Sequence, residues 1–318
     1  MIGLGALVRR NTKLYFKDKG MFFTSLITPL ILLVLYTTFL SNVYEQNFRS
    51  SLEAAGATVS EKLIGGCVGA QLVSSLLAVS CVTVAFCSNL LTVQDKITGA
   101  RRDLSIAPVK PGTLALGYYL STLLTTLLIS FAATLACLGY LAYAGWYMTV
   151  KDVAALLLDT VLLVLFGTGL SSCVNFFLST NGQASAVGTV VSAGYGFICG
   201  AYMPISQFLG GLQKVISFLP GTYGTSLLRN NALRGVFKEM GAQGFPSEVV
   251  EAIRDSIDCN LYFYGNKVET GVSYLVLTVA IVLLIGIYVA MNMSCAKKRH
   301  NHNGKVFSKI KTVKKSGL

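Results

Sequence analysis

Charge gathers in one short stretch between two long apolar runs: Asp95-Lys96-Ile97-Thr98-Gly99-Ala100-Arg101-Arg102-Asp103, followed by Ala107-Pro108-Val109-Lys110. A proline pushes the residue before it out of the helical region, so Ala107-Pro108 ends whatever helix this stretch forms. A short, charged, proline-terminated helix suits docking on a soluble partner. Its basic residues suit equally well a plain anchor loop that orients the flanking runs. Away from this stretch, Asp159 is the one ionisable residue inside an apolar run. A carboxylate there is costly and marks a substrate or gating site by default. It lies about 10 Å from the end of its run at 1.5 Å per helical residue, within reach of water.

Other chemistry is missing from the sequence. There is no G-x-x-x-x-G-K-[ST] loop; Gly304-Lys305 lacks both the upstream glycine and the Ser or Thr. The chain therefore cannot cradle and hydrolyse ATP in that manner. The apolar runs hold no His or carboxylate cluster, which argues against a membrane-bound enzyme. His300-Asn301-His302 sits in a basic tail and reads as solvated, so no metal is expected. The eight cysteines contain no C-x-x-C pair, and most fall in apolar runs, where cysteine acts as a small hydrophobe. Cys259 alone lies in a polar segment, which leaves a bridge to Cys67 open without implying a disulfide framework.

The elements that must hold these residues are membrane helices. Of 318 residues, 53% are hydrophobic and 13% charged, against about 25% charged in soluble domains. Apolar runs long enough to cross a core about 30 Å thick cover residues 21–40, 63–91, 113–143, 153–177, 184–202 and 272–293. Before them, Leu4, Leu7, Val8, Leu14 and Tyr15 gather on one helical face and Arg9, Arg10, Lys13 and Lys17 on the other. That pattern suits a helix lying in the membrane interface over residues 1–20. The polar stretch 41–62 reads as a connection between the first two spans. With the N-terminus inside, seventeen of the 26 Lys and Arg fall on the inner side. Over short loops and tails the bias is seventeen to three, so both termini are expected in the cytoplasm and the span number even. The net charge of +12 flanks the spans, which favours lipid headgroups over nucleic acid as its counterpart.

Two motifs resemble the type-2 ATP-binding-cassette (ABC-2) exporter permeases. In the loop, Asp95-Lys96, Gly99, Leu104 and Pro108-Val109 follow the family's pattern, while Ala100-Arg101-Arg102-Asp103 replaces its usual Thr-x-Glu. After the fifth span come Gly200-Ala201-Tyr202-Met203-Pro204, then Phe218-Leu219-Pro220-Gly221-Thr222-Tyr223, then Leu233-Arg234-Gly235. These match a Gly-x-x-x-Pro step, a Leu-Pro-x-Thr-Tyr step and a closing Arg/Leu-Gly. The resemblance covers about residues 1–235 and 272–293. It implies an all-α polytopic permease with six transmembrane helices, an N-terminal interfacial helix and two short re-entrant outer helices between spans five and six. It also implies a cytoplasmic coupling loop over 92–112 that meets a separate ATP-binding-cassette ATPase, with Asp95, Lys96, Gly99, Arg101, Arg102 and Asp103 as coupling residues. ATP and Mg would be bound by that partner, leaving no cofactor on this chain. A second permease copy or paralogue completes the transporter. Pro204, Phe208, Phe218 and Pro220 would form an outer gate within an outer segment 204–271.

The fifth span carries small residues at every fourth place, Ala184, Gly188, Ser192, Gly196 and Gly200. They form a stripe that lets another helix approach closely, within the chain, at a dimer seam or along a path that opens and closes. With Asp159, Gly188, Ser192 and Gly196 make the candidate substrate path. Residues 236–271 depart from the family pattern. Pro246 to Arg254 reads as a capped soluble helix, and Tyr262, Phe263 and Tyr264 as an aromatic interface element. That insertion is read as a loop decoration before a recognition surface. The basic tail 295–318 is expected to meet anionic lipid. The expected function is export of a hydrophobic or amphiphilic cargo such as a drug, peptide or lipid-linked molecule across the plasma membrane. The alternatives are polysaccharide export by the same architecture and an ATP-independent secondary transporter or channel.

Overall fold

Helix boundaries follow the capping chemistry of the sequence. The computed structural model describes residues 2–54, 60–107 and 109–315; Pro108 of the predicted loop lies outside them. Helix α1 (Ile2–Lys17) is followed at once by α2 (Lys19–Leu35), capped by the Asp18 carboxylate accepting from Met21 N at 3.1 Å. Helix α2 carries Pro29 without breaking, as membrane helices tolerate. It runs through a π turn, Tyr36–Leu40, into α3 (Ser41–Ala54). The stretch from Ser41 is therefore helix rather than the expected connection as far as Ala54. Tyr44 and Phe48 give that helix a buried face against the next one, and Glu45 and Arg49 pair along its surface.

Helix α4 (Glu61–Ser88) begins at the Ser60 cap and is the hub. Nearly all of its apolar window is buried, as expected of a helix that is apolar all round. It packs against α2, α3, α7, α8, α9 and α11. The charged stretch forms α5 (Leu90–Ile97) and α6 (Ala100–Ile106). They are separated by Gly99, whose φ of +84° suits a residue without Cβ. Ala107 leaves the helical region at ψ 154°, as the proline rule predicts. Then come α7 (Pro111–Ala144), with proline in its first turn, and α8 (Val150–Phe177), opened by a Thr149/Asp152 capping box.

Helix α9 (Asn181–Ile198) is the expected fifth span, cut short. A 3₁₀ turn at Ile205–Gln207 leads to α10 (Gly210–Ile216) and α11 (Pro220–Ala242). The second element after Pro220 is thus 23 residues long and not the short helix expected. Its polar run reads as a loop until its neighbours are known, because its polar side chains are satisfied only by other helices. Helix α12 (Ser247–Ser256) has no side-chain cap at its start, contrary to expectation. Tyr262–Phe263 and Asn266–Lys267 pair as an antiparallel hairpin, the one departure from an all-α fold among the described residues. Helix α13 (Thr270–Lys315) carries the last span and continues as helix through the basic tail. The side chains of His300 and His302 lie outside the description. All eight cysteines are free, so Cys67 and Cys259 are not bridged.

Among the described residues, five helical stretches are long and apolar enough to cross a membrane: Lys19–Ser50, Glu61–Ile97, Pro111–Ala144, Val150–Phe177 and Thr270–Cys295. The end of the bundle that carries α5 and α6 is termed proximal, and the opposite end distal.

Candidate functional site

At the proximal end the charged stretch turns half of its ions inward. Asp95 is buried and receives Arg10 Nη1 at 2.6 Å, Arg10 Nη2 at 3.2 Å and the Tyr118 hydroxyl at 2.6 Å. It thereby ties α5 to α1 and α7. Arg10 was expected on the solvated basic face of α1. It lies inward instead, because α1 buries Leu7, Asn11 and Tyr15, with Asn11 donating to Ser121 and Tyr15 sharing a hydrogen bond with Ser25. Leu14, expected on the apolar face, is exposed.

Lys96 donates to three carbonyls at the C-terminus of α8: Asn175 at 2.8 Å, Phe176 at 2.7 Å and Leu178 at 2.8 Å. An ammonium there satisfies orphan acceptors and meets the negative end of the helix dipole. Arg101 donates to Asn292 Oδ1 of α13 at 2.6 Å and lies over the Tyr118 and Phe176 rings. Arg102 and Asp103 point outward, beside exposed Ile97 and Ile106. Three of the six predicted coupling residues therefore grip four helices, two face away from the bundle, and Gly99 makes the turn between them.

A second site fills the distal half. Asp159 is fully buried rather than reached by water. Asn231 Nδ2 donates to it at 2.5 Å and the Tyr274 hydroxyl at 2.8 Å, while Arg234 donates onward to Asn231 Oδ1 and to Asp152 at 3.1 Å. This chain locks α8, α11 and α13 together. The polar contacts of Asp159 run to α11 and α13 and do not reach the α9 stripe. On that stripe Ala184, Gly196 and Gly200 are buried, Gly196 beneath the Tyr202 ring, and Gly188 and Ser192 are half-buried.

Helix α11 begins in the middle of the bundle. Gly221 lies against the Tyr195 hydroxyl, and Gly224 against Leu163, midway along α8. Further along α11, a Cβ on Gly235 would run into the Tyr147 carbonyl in the turn between α7 and α8. Gly235→Ala must therefore displace backbone. It is expected to cost about 3 kcal/mol or more, read as a lowered unfolding midpoint in detergent; a wild-type midpoint would show that α11 does not dock this closely.

Arg229, on α11, is buried and was not singled out from the sequence. It donates to the carbonyls of Ile257 at 2.7 Å and Gly200 at 2.9 Å and to Ser75 Oγ at 3.2 Å, with Asp258 at 3.7 Å. Asp258, at φ +53°, accepts from Ile205 N at 2.6 Å. Burial pushes its carboxyl above the usual carboxylate range, and Arg229 pulls it back. The insertion is thus anchored into the bundle rather than hung upon it. Of the gate residues, Pro204 precedes the 3₁₀ turn and Pro220 opens α11. Phe208 is half-buried, and Phe218 is exposed and packs edge-on to Phe263 of the hairpin at 5.1 Å. The structure joins Phe218 to the hairpin of the insertion.

A bundle of long apolar helices around a buried hub defines a polytopic membrane protein. Residues 3–233 match the ABC-2 type transporter family, and the chain belongs to that family. No individual curated protein matches the sequence. In this family the membrane domain is a transport subunit that works with an ATP-binding-cassette subunit.

Proposed function

We propose that the chain is the membrane-spanning half of an ATP-driven exporter, moved by a separate ATPase that presses on α6. One observation carries this reading: α6 presents Arg102, Asp103 and Ile106 outward while Asp95, Lys96 and Arg101, beside them, each hold different helices. Force applied to α6 passes through Arg101 into α13 and, by way of the adjoining α5, into α1, α7 and α8. Nucleotide and Mg belong to the partner, and two such permeases, identical or paralogous, face each other. Their parting and closing gives alternating access to a hydrophobic or amphiphilic cargo.

The charge bias supports a cytoplasmic proximal end, carrying both termini, in the plasma membrane. Six crossings then need α9 to count as one. Its 18 residues reach about 27 Å at 1.5 Å per residue. Its last carbonyl, Ile198, lies 3.4 Å from the Thr222 hydroxyl at the buried start of α11. Helices α10 and α11 complete the distal layer as a re-entrant pair. Outer-gate roles for Pro204, Phe208, Phe218 and Pro220, and a substrate-path role for Asp159, Gly188, Ser192 and Gly196, belong to the same reading.

The test is co-purification of the solubilised protein with an ATPase subunit and an ATPase assay on the complex. Transport that persists with no nucleotide-binding subunit present overturns the proposal. The exchange Arg102→Glu with Asp103→Lys alters exposed side chains, whose substitution ordinarily costs under about 0.5 kcal/mol. It is expected to lower ATP-dependent transport roughly tenfold or more, the loss of about 1.4 kcal/mol of coupling, with an unchanged unfolding midpoint. Full transport in that variant would remove α6 as the contact.

A further inference from the structure

An apolar groove of about 830 Å³ runs between α1 and α7 at the proximal end. Its walls are Leu4, Val8 and Phe16 of α1 and Leu120 and Leu124 of α7, and Arg9, Lys13 and Lys17 stand along its edge. The groove follows from how α1 is fixed. Arg10 is held by Asp95, Asn11 by Ser121 and Tyr15 by Ser25. Leu7 sits on Gly117, where an added Cβ would be 3.0 Å from it. These contacts set the rotation of α1 and leave the flank with the three cations turned away from the bundle. All three are exposed, and among the described residues no carboxylate pairs with them. The other basic residue of this part of α1, Arg10, is paired, so the stripe is not a shared excess of charge around the helix.

We infer that this groove is a binding site for one anionic glycerophospholipid, an acyl chain lying against Leu120 and Leu124 and the phosphate on the Arg9–Lys13–Lys17 edge. The two halves of the site ask for the two halves of that molecule. A nucleotide or an acidic peptide would answer the cations and leave the apolar walls uncovered. A neutral lipid would cover the walls and leave three cations unanswered. A headgroup at this edge gains from each cation, and a chain in the groove adds apolar burial that a diffuse headgroup cloud lacks. The lipid would fasten α1 to α7 beside Asp95, so its occupancy bears on the element that grips α5. The inference depends on neither the cargo nor the ATPase partner.

The full-length protein in nanodiscs of equal phosphatidylglycerol and phosphatidylcholine, released and weighed by native mass spectrometry, gives the test. Wild type is expected to retain one phosphatidylglycerol, favoured roughly tenfold or more over phosphatidylcholine. Arg9→Gln/Lys13→Gln/Lys17→Gln is expected to lose that preference. Leu124→Trp keeps every charge but fills the groove, and is expected to lose the retained lipid. Lys309→Gln/Lys311→Gln/Lys314→Gln, in the basic tail, is expected to behave as wild type. Equal retention of the two lipids by wild type overturns the site. So does a preference that survives Leu124→Trp, or one abolished by the tail substitutions, since either marks attraction to the basic surface at large.

Discussion

Arg229→Met is expected to destabilise the protein by about 3–5 kcal/mol, the range for removing one partner of a buried ion pair. The unfolding midpoint in a denaturant titration of the purified protein reads it. The size follows from what the guanidinium serves. Helix α9 stops at Ile198, inside the bundle, and the chain turns through Gly200 and Ala201 before α10. A break in helix at that depth strands a backbone carbonyl where water is scarce. Arg229 answers the Gly200 carbonyl, and the Ile257 carbonyl where α12 ends, and stands beside Asp258. Methionine fills much of the volume and supplies none of the donors. Arg229→Lys is expected to fall between, since one ammonium lacks the planar fork that reaches Gly200, Ile257 and Ser75 together. Adding Asp258→Ala to Arg229→Met is expected to cost less than the sum of the two, because the unpaired carboxylate is then gone. Additive costs would show that Arg229 serves the carbonyls alone.

The same residue shows where sequence reading stops. Five of the six spans were legible because about 20 apolar residues are needed to cross the core, whatever packs around them. The stop before Pro108 was legible because it is local to one peptide. Arg229 lies in a run of polar and small residues that looks like an ordinary outer loop or a short amphipathic helix. Its partners, Ser75, Gly200 and Ile257, are all far from it in sequence. The same holds for Arg10. The pattern of α1 puts it with Arg9 and Lys13, yet Asp95, 85 residues away, draws it inward. Among the coupling residues the sequence supplied the cluster but not its division of labour. Which of Asp95, Lys96, Arg101, Arg102 and Asp103 grip helices and which face a partner depends on where α8 and α13 end in space.

Asp159→Asn, a near-isosteric change, is expected to cost about 2–3 kcal/mol, because the network around it has a direction. Arginine can only donate. Arg234 donates to Asn231 Oδ1, so Asn231 must turn its Nδ2 toward residue 159, and Tyr274 also donates there. The residue at 159 must therefore accept at both oxygens, which a carboxylate does and an amide does not. In Asp159→Asn the amide keeps its oxygen toward Asn231 only by turning its nitrogen to the Tyr274 hydroxyl, which then loses its acceptor and leaves its own proton unpaired in a buried site. The exchange Asp159→Asn/Asn231→Asp restores these bonds and gives up only the 3.2 Å one from Asn231 Nδ2 to the Tyr274 hydroxyl. Arg234 then donates to the carboxylate now at position 231, and so does the amide nitrogen now at position 159. Tyr274 donates to the oxygen of that same amide. Most of the lost stability is expected to return in the double variant, and a double variant no more stable than the worse single would reject the directional network. Transport measured on the same pair separates two roles for Asp159. If its task is to lock α11 to α8 and α13, transport returns with stability. If the cargo or a proton must meet a charge at residue 159 itself, stability returns and transport does not.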